Sequence, residues 1–309
     1  MIRAFRVAYD GRAYAGFQRQ AHADTVEGTI LSALSDHGIV EPGDGPTHAT
    51  PPGYAAAGRT DAGVSAVAQT VAFTAPDWLT PRAFNGQLPG SVRAWAAADV
   101  PETFHATHDA VRRTYRYYLY APASESTAVA GEGARAAAPA DDERAIDDER
   151  RVDDTAVDDA LARLSGTNDF HNLTSDDTGT VRDLRATATR AGEFLVVEVT
   201  AGGFPRALVR RLVAAVAAVG RGTAEPALLD RLLAEEPVSG PYGVGPAPPA
   251  PLVLWNVDYD GVEFVVDDDA AASALGAFDT RYREARRAAA ATGAIRDRLG
   301  TVRSDAAGD

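Results

Sequence analysis

The chain has 309 residues, 45% of them hydrophobic, and its 30 basic and 44 acidic side chains give a net charge of −14. That length can bury a sizeable core and suits two domains or two closely joined halves. With no cysteine, disulfides, thiolate metal sites and thiol nucleophiles are excluded, and no apolar run approaches the roughly 18 residues of a membrane span.

Every basic residue is arginine; the chain has no lysine. More than half of the acid excess falls within residues 121–160, where the net charge is −8. The Ala/Asp/Glu-rich stretch at about 121–151 reads as a solvated linker or insertion, too polar to pack. Acid excess, no lysine, no cysteine and abundant alanine fit a GC-rich halophile, in which acidic surfaces keep proteins soluble; an ordinary acidic protein is the alternative. The opening "MIRAFRVAYDG" lacks the basic-then-apolar pattern of a signal peptide, so a cytoplasmic protein is expected.

In chain order, "IRAFRVAYD" reads as a strand. "DTVEGTILSALSDHG" (24–38) predicts a helix: Asp24 and Glu27 have capping-box spacing, Val26, Ile30, Ala33, Leu34 and His37 form a stripe, and Gly38 stops it. Residues 54–60 read as extended and 66–74 as a strand. Thr80 and Pro81 open a short helix, and "VRAWAAADV" is a strand. The second half repeats the order: a strand at 111–120, a helix through Val157 and Leu161 to Gly166, and strands at about 181–190 and 193–200. A helix with Pro205 at its start and Gly220 at its end follows, then a short helix at 226–235 and a hairpin around Asp260-Gly261. Residues 280–299 could form an Arg/Ala-rich helix, but the apolar stripe is thin and partial disorder is expected.

This is βαββαβ twice, an α+β protein of two ferredoxin-like halves sharing a mixed, mostly antiparallel sheet around a central cleft. The halves are expected at 1–105 and 106–265, the second carrying the acidic insert, with a tail at 266–309.

Three places could carry chemistry. In "AAGRTDAGVSAVAQTVAF" (56–73) Arg59 and Asp61 sit in a glycine-bounded turn before a strand. Aspartate is an ordinary turn residue; the alternative is a carboxylate at the mouth of a sheet beside a guanidinium. On the strand 111–120, Val111, Arg113, Tyr115, Tyr117 and Leu119 share a face that could stack bases and hold phosphates, or could be structural. In the helix after Pro205, Arg206 and Arg210 share a face at i, i+4. Arg210 is flanked by apolar residues and needs an anionic partner, for which Asp61 is a candidate. His105 and His108 lack zinc-ligand company and read as structural.

Taken together, "YDGRAYAGFQRQ" (9–20), "AGRTDAGVSA" (57–66), "FHATHDAVRRTYRYYLY" (104–120) and "GGFPRALVRRLVAAVAAVG" (202–220) resemble the tRNA pseudouridine synthase A (TruA) family over roughly residues 1–265. The resemblance implies an isomerase that converts uridine to pseudouridine at tRNA positions 38 to 40, in the anticodon stem-loop. It implies Asp61 as nucleophile, Tyr115 stacking on the target uracil, Arg210 pairing with the catalytic carboxylate, and Arg59 replacing the flipped base or holding the backbone. Arg12, Gln18, Arg113 and Arg206 are expected to bind RNA. The family works as a homodimer, and the isomerisation needs no metal, redox cofactor or nucleotide cofactor. Ser65 stands where the family usually has histidine after "AGV", and Phe17 where tryptophan is common. The rival reading is a non-catalytic RNA-binding module on the same fold, for which Asp61 would be unconstrained.

Overall fold

The computed structural model describes residues 1–41, 49–122, 151–238 and 243–306, with side chains to residue 302. The acidic stretch at about 121–151 therefore lies almost wholly outside the described residues.

β1 (Ile2–Tyr9) leads through a 3-10 turn (Gly11–Ala13) to helix α1 (Val26–Asp36). The cap differs from the expected box. Thr25, not Asp24, accepts from the Gly28 amide, while the Glu27 carboxylate accepts from the Arg19 amide at 2.7 Å. β2 (Ala55–Ala56), β3 (Ser65–Thr74), α2 (Pro81–Phe84) and β4 (Val92–Val100) follow. Thr80 caps α2 with Pro81 in its first turn, as the sequence predicts.

β5 (Ala110–Tyr120) opens the rest of the chain. Next come α3 (Asp154–Leu164), a short β6 (Gly166–Asp169) that the sequence reading missed, β7 (Val181–Ala191) and β8 (Phe194–Ala201). Then come α4 (Leu208–Gly220), α5 (Ala227–Leu233) and β9 (Leu252–Tyr259).

With a last short strand, β10 (Val265–Val266), the strands form one mixed sheet in the order β10-β4-β1-β3-β9-β5-β8-β7-β6, with β2 on β3. Its pairings are antiparallel except between β3 and β9, which run parallel and pair at Ser65–Val253 and Ala66–Leu254. The fold is thus α+β with a mostly antiparallel sheet. Beyond that short parallel ladder the Arg6 guanidinium takes over. From β1 it donates to the Ala68 carbonyl (3.2 Å) and Thr70 Oγ1 (3.1 Å) on β3 and to the Val257 carbonyl (2.5 Å) on β9. The Phe264 ring lies 4.1 Å from that guanidinium.

Two expectations fail here. The hairpin around Asp260-Gly261 does not form: β10 (Val265–Val266) pairs with β4 at the sheet's far edge instead of with β9. A local turn signal was outcompeted by a distant strand edge, which periodicity cannot reveal. The tail is one continuous helix, α6 (Asp268–Ala306), where partial disorder was expected. Ala270 and Ala274 bury its first turns against the body, and Arg281 reaches the Gly90 carbonyl at 3.4 Å. No helix among the described residues is long and apolar enough to cross a membrane.

Candidate active site

The turn carrying Asp61 is fixed by a loop from far along the chain. Phe17 donates its amide to the Thr60 carbonyl (3.0 Å), and the Gly63 amide donates to the Tyr14 carbonyl (3.1 Å), so residues 14–17 and 60–63 are laced together. Gly16 stands at φ 109°, and a Cβ there would lie 3.1 Å from the Thr60 carbonyl oxygen. At Gly11 a Cβ would come within 1.9 Å of the Val64 carbonyl oxygen. These two contacts explain the glycines of "YDGRAYAG": the loops touch backbone to backbone. Ser65, the departure from the family pattern, accepts from the Gly11 amide at 3.0 Å, so it adds to the same lacing. Phe17 is buried against Tyr9, whose hydroxyl pairs with Thr60 Oγ1 at 2.8 Å.

Asp61 emerges half-buried from this turn, its Oδ2 3.0 Å from Nη1 of Arg210 on α4. The Arg210 Nε donates to the Ala247 carbonyl at 2.7 Å, which aims the guanidinium across the cleft. The Ala247 amide returns a bond to the Arg210 carbonyl at 3.0 Å. The proline-rich 246–251 stretch is thus part of the site, which its composition alone did not signal.

Tyr115 lines the same cleft, buried on β5, with the Phe204 ring edge-on at 5.2 Å between centroids. Burial pushes the Tyr115 hydroxyl up to about 12, so it is a neutral phenol at physiological pH. Phe204 was not singled out beforehand, although it lies within the quoted "GGFPRA". The cleft encloses about 960 Å³ and is walled by the 15–20 and 54–64 loops on one side and by residues 204–210 on the other.

The other expected residues divide. Arg59 and Gln18 are exposed on the cleft lining, and Arg59 has no hydrogen bond or ion pair among the described residues. Arg12 lies outside the cleft and pairs with Asp10 at 2.7 Å. Arg113 is buried and is not itself among the residues lining the cleft. Its guanidinium donates to the carbonyls of Ala57 (2.7 and 3.0 Å), Thr107 (2.7 Å) and Gly202 (2.5 Å). The alternation of the strand was read correctly, but that face is core at position 113. Val111, expected on the same face, is exposed beyond a bulge. His105 and His108 are exposed at the cleft mouth with ring centroids 4.2 Å apart, so they border the site, although the His105 Nδ1 also accepts turn amides.

Arg206 corrects the i, i+4 expectation. The helix begins at Leu208, not at Pro205, so Arg206 shares no helical face with Arg210; it lies exposed on the rim, its amide bonded to Asp176 at 2.7 Å. The residue between loop and helix is Ala207, at φ 56° the one non-glycine in the left-handed region among the described residues. That conformation costs alanine roughly 1–2 kcal/mol. Ala207→Gly should therefore fold at least as stably as the native chain, whereas the β-branched Ala207→Val should lower stability by about 2 kcal/mol or more. Urea midpoints of the two variants check this, and equal midpoints would remove the strain argument.

A family profile described as tRNA pseudouridine synthase matches residues 160–260, which gives the class. Over 298 residues, 96% of this chain and all of the relative, the sequence is 55% identical to a tRNA pseudouridine synthase A of Haloarcula marismortui. It is 54% identical to that of Natronomonas pharaonis, covering 95% of this chain and 98% of the relative. It is 53% identical to that of Halobacterium salinarum, covering 92% and 93%. The chain belongs to the tRNA pseudouridine synthase A family. All three relatives come from halophilic archaea, in keeping with the acidic, lysine-free composition.

Proposed function

We propose that this chain isomerises uridine to pseudouridine in the anticodon stem-loop of tRNA, at positions 38 to 40, with Asp61 as the nucleophile. Pseudouridine synthesis in tRNA is the activity of its family; the position and the residue roles are our reading. The observation that carries it is the 3.0 Å pair between Asp61 and Arg210, facing Tyr115 across one cleft. Arg210 holds one carboxylate oxygen and leaves the other for attack. The reaction breaks the N1–C1′ bond, turns the base and forms C5–C1′; C5 then loses its proton while N1 takes one up. A carboxylate can hold a covalent adduct through that turn, whether at ribose C1′ or at uracil C6. The base must leave its stack at a cost of a few kcal/mol, part of which contact with the Tyr115 ring offsets. Arg59, exposed and with no partner among the described residues, would fill the gap or hold the backbone, and Gln18 and Arg206 would meet RNA on the rim.

The sheet order supports two ferredoxin-like halves, at 1–105 and 106–265, followed by the tail. β4-β1-β3-β2 and β9-β5-β8-β7 follow the same order within each βαββαβ run. We further propose that the protein works in the cytoplasm as a homodimer.

The test is to incubate the protein with unmodified tRNA and map pseudouridine by carbodiimide modification and primer extension. New stops at positions 38 to 40 are expected. Binding without any new pseudouridine would instead establish the non-catalytic RNA-binding module. Tyr115 is probed in the same assay. Tyr115→Phe keeps the ring and Tyr115→Leu removes it; if stacking dominates, Phe turns over and Leu loses at least tenfold, whereas a hydroxyl that helps remove the C5 proton makes Phe the inactive variant. Full activity in both would remove Tyr115 from the site.

A further inference from the structure

In a chain of net charge −14, residues 281–303 hold seven arginines against Glu284 and Asp297, a net of +5. They belong to α6, which is anchored to the body by its first turns and then by Arg281, whose guanidinium lies 3.6 Å from Asp10 and faces the protein. From Tyr282 to Val302 every residue except the half-buried Gly293 is exposed, so roughly 30 Å of helix runs with no packing partner among the described residues. The arginines on it are ordered. Arg283 and Arg287 are one helical step of four apart, Arg286 lies between them at three, and Arg298 follows Arg287 by eleven residues, close to three full turns. All four side chains are exposed and fall within about 120° of the helix surface, an arc that also carries Asp297, which is paired with Arg296. Arg283 pairs with Asp279 at 2.8 Å and Arg286 lies near Tyr282, while Arg287 and Arg298 have no partner among the described residues.

We propose that this outward face of α6, with Arg283, Arg286, Arg287 and Arg298, docks the phosphate backbone of the tRNA outside the catalytic cleft. The proposal rests on tRNA being the substrate. Charge complementarity selects the occupant: a concentrated basic face on an acidic protein suits a polyanion, and guanidinium forks grip phosphate bidentately at short range even where salt screens longer contacts. The anchor gives the place. Asp10, which holds Arg281, also holds Arg12 at the start of the loop that laces the Asp61 turn. The helix therefore passes beside the loop that laces the Asp61 turn. A second copy of the chain suits the face less well. The exposed apolar residues Leu275, Tyr282, Ile295, Leu299 and Val302 are interrupted by arginine and alanine from 283 to 294 and make no sustained seam.

The test uses the full chain with Arg283, Arg286, Arg287 and Arg298 all replaced by glutamine, and the same four replaced by lysine. tRNA binding is measured over a salt series, turnover as kcat and KM, and mass by light scattering. The glutamine variant should bind at least tenfold more weakly, with KM raised in step and kcat at saturating tRNA unchanged. Its slope of log K against log salt should be shallower by about 2 to 4, since each lost phosphate contact removes somewhat less than one unit. The lysine variant should recover the slope. Glutamine-variant affinity within twofold of the native chain would overturn the proposal. So would a drop in mass, which would give the face to a second copy. Because binding is read separately from pseudouridine formation, a chain that binds through this face yet modifies nothing would sink the proposed chemistry and leave the docking face standing.

Discussion

Asp61→Asn should fold, bind tRNA within about twofold of the native affinity and form no pseudouridine. Asparagine keeps the shape and still offers an oxygen to Arg210, whose other anchor at the Ala247 carbonyl is untouched. An amide oxygen cannot form the acylal or ester adduct that carries the base through its turn, so turnover should fall by on the order of 10⁴ or more, as when other enzymes lose a nucleophile. Single-turnover assays with excess enzyme separate this from a binding defect. Activity within a hundredfold of native would mean that the carboxylate only positions the substrate.

The second large effect is on stability. Arg113→Met should lower the unfolding free energy by about 4 kcal/mol. Removing the guanidinium leaves the carbonyls of Ala57, Thr107 and Gly202 without their donor, at roughly 1–3 kcal/mol for each that water cannot reach. Arg113→Lys should be nearly as harmful, because a point donor cannot span three acceptors as the planar fork does. Urea denaturation at fixed salt gives the number; a change below 1 kcal/mol for Met would show that water replaces the guanidinium. Turnover should decline as well, since Ala57 stands two residues from Arg59 in the turn that carries Asp61.

Strands were most legible where one face is core and alternation survives: β4 and β8 are read within a residue or two. What failed was decided by partners distant in sequence. Val265–Val266 looks like a hairpin arm until the edge of β4 competes for it. Pro205 looks like a helix start, but Asp176 takes the next amide and Ala207 adopts a left-handed turn before Leu208 begins the helix. Thr25 and Asp24 are both fair caps, and the Arg19 amide takes the Glu27 carboxylate that the capping box needs. In the site, Asp61, Tyr115 and Arg210 come together as the motifs suggest. Arg113 shows the limit of that reading: an arginine two residues before a tyrosine on a strand shares its face, but only burial shows that the guanidinium faces backbone carbonyls. Phe204 and Ala247 contribute a ring edge and a carbonyl, features that many sequences could supply at those positions.

The parallel ladder between β3 and β9 has a mechanical consequence. On either side of it the neighbouring strands, β1 with β3 and β5 with β8, are bound by long antiparallel ladders, such as the run from Arg113–Ala201 to Tyr120–Phe194, which resist bending. Between β3 and β9 two residue pairs and one guanidinium do that work. The assembly behaves as two stiff plates joined by a compliant strip, and the strip starts at Ser65, four residues from Asp61. One plate carries the carboxylate; the other carries Tyr115. Bending about this strip would widen or narrow the gap between them, and the Asp61–Arg210 and Arg113–Ala57 contacts are what limit it.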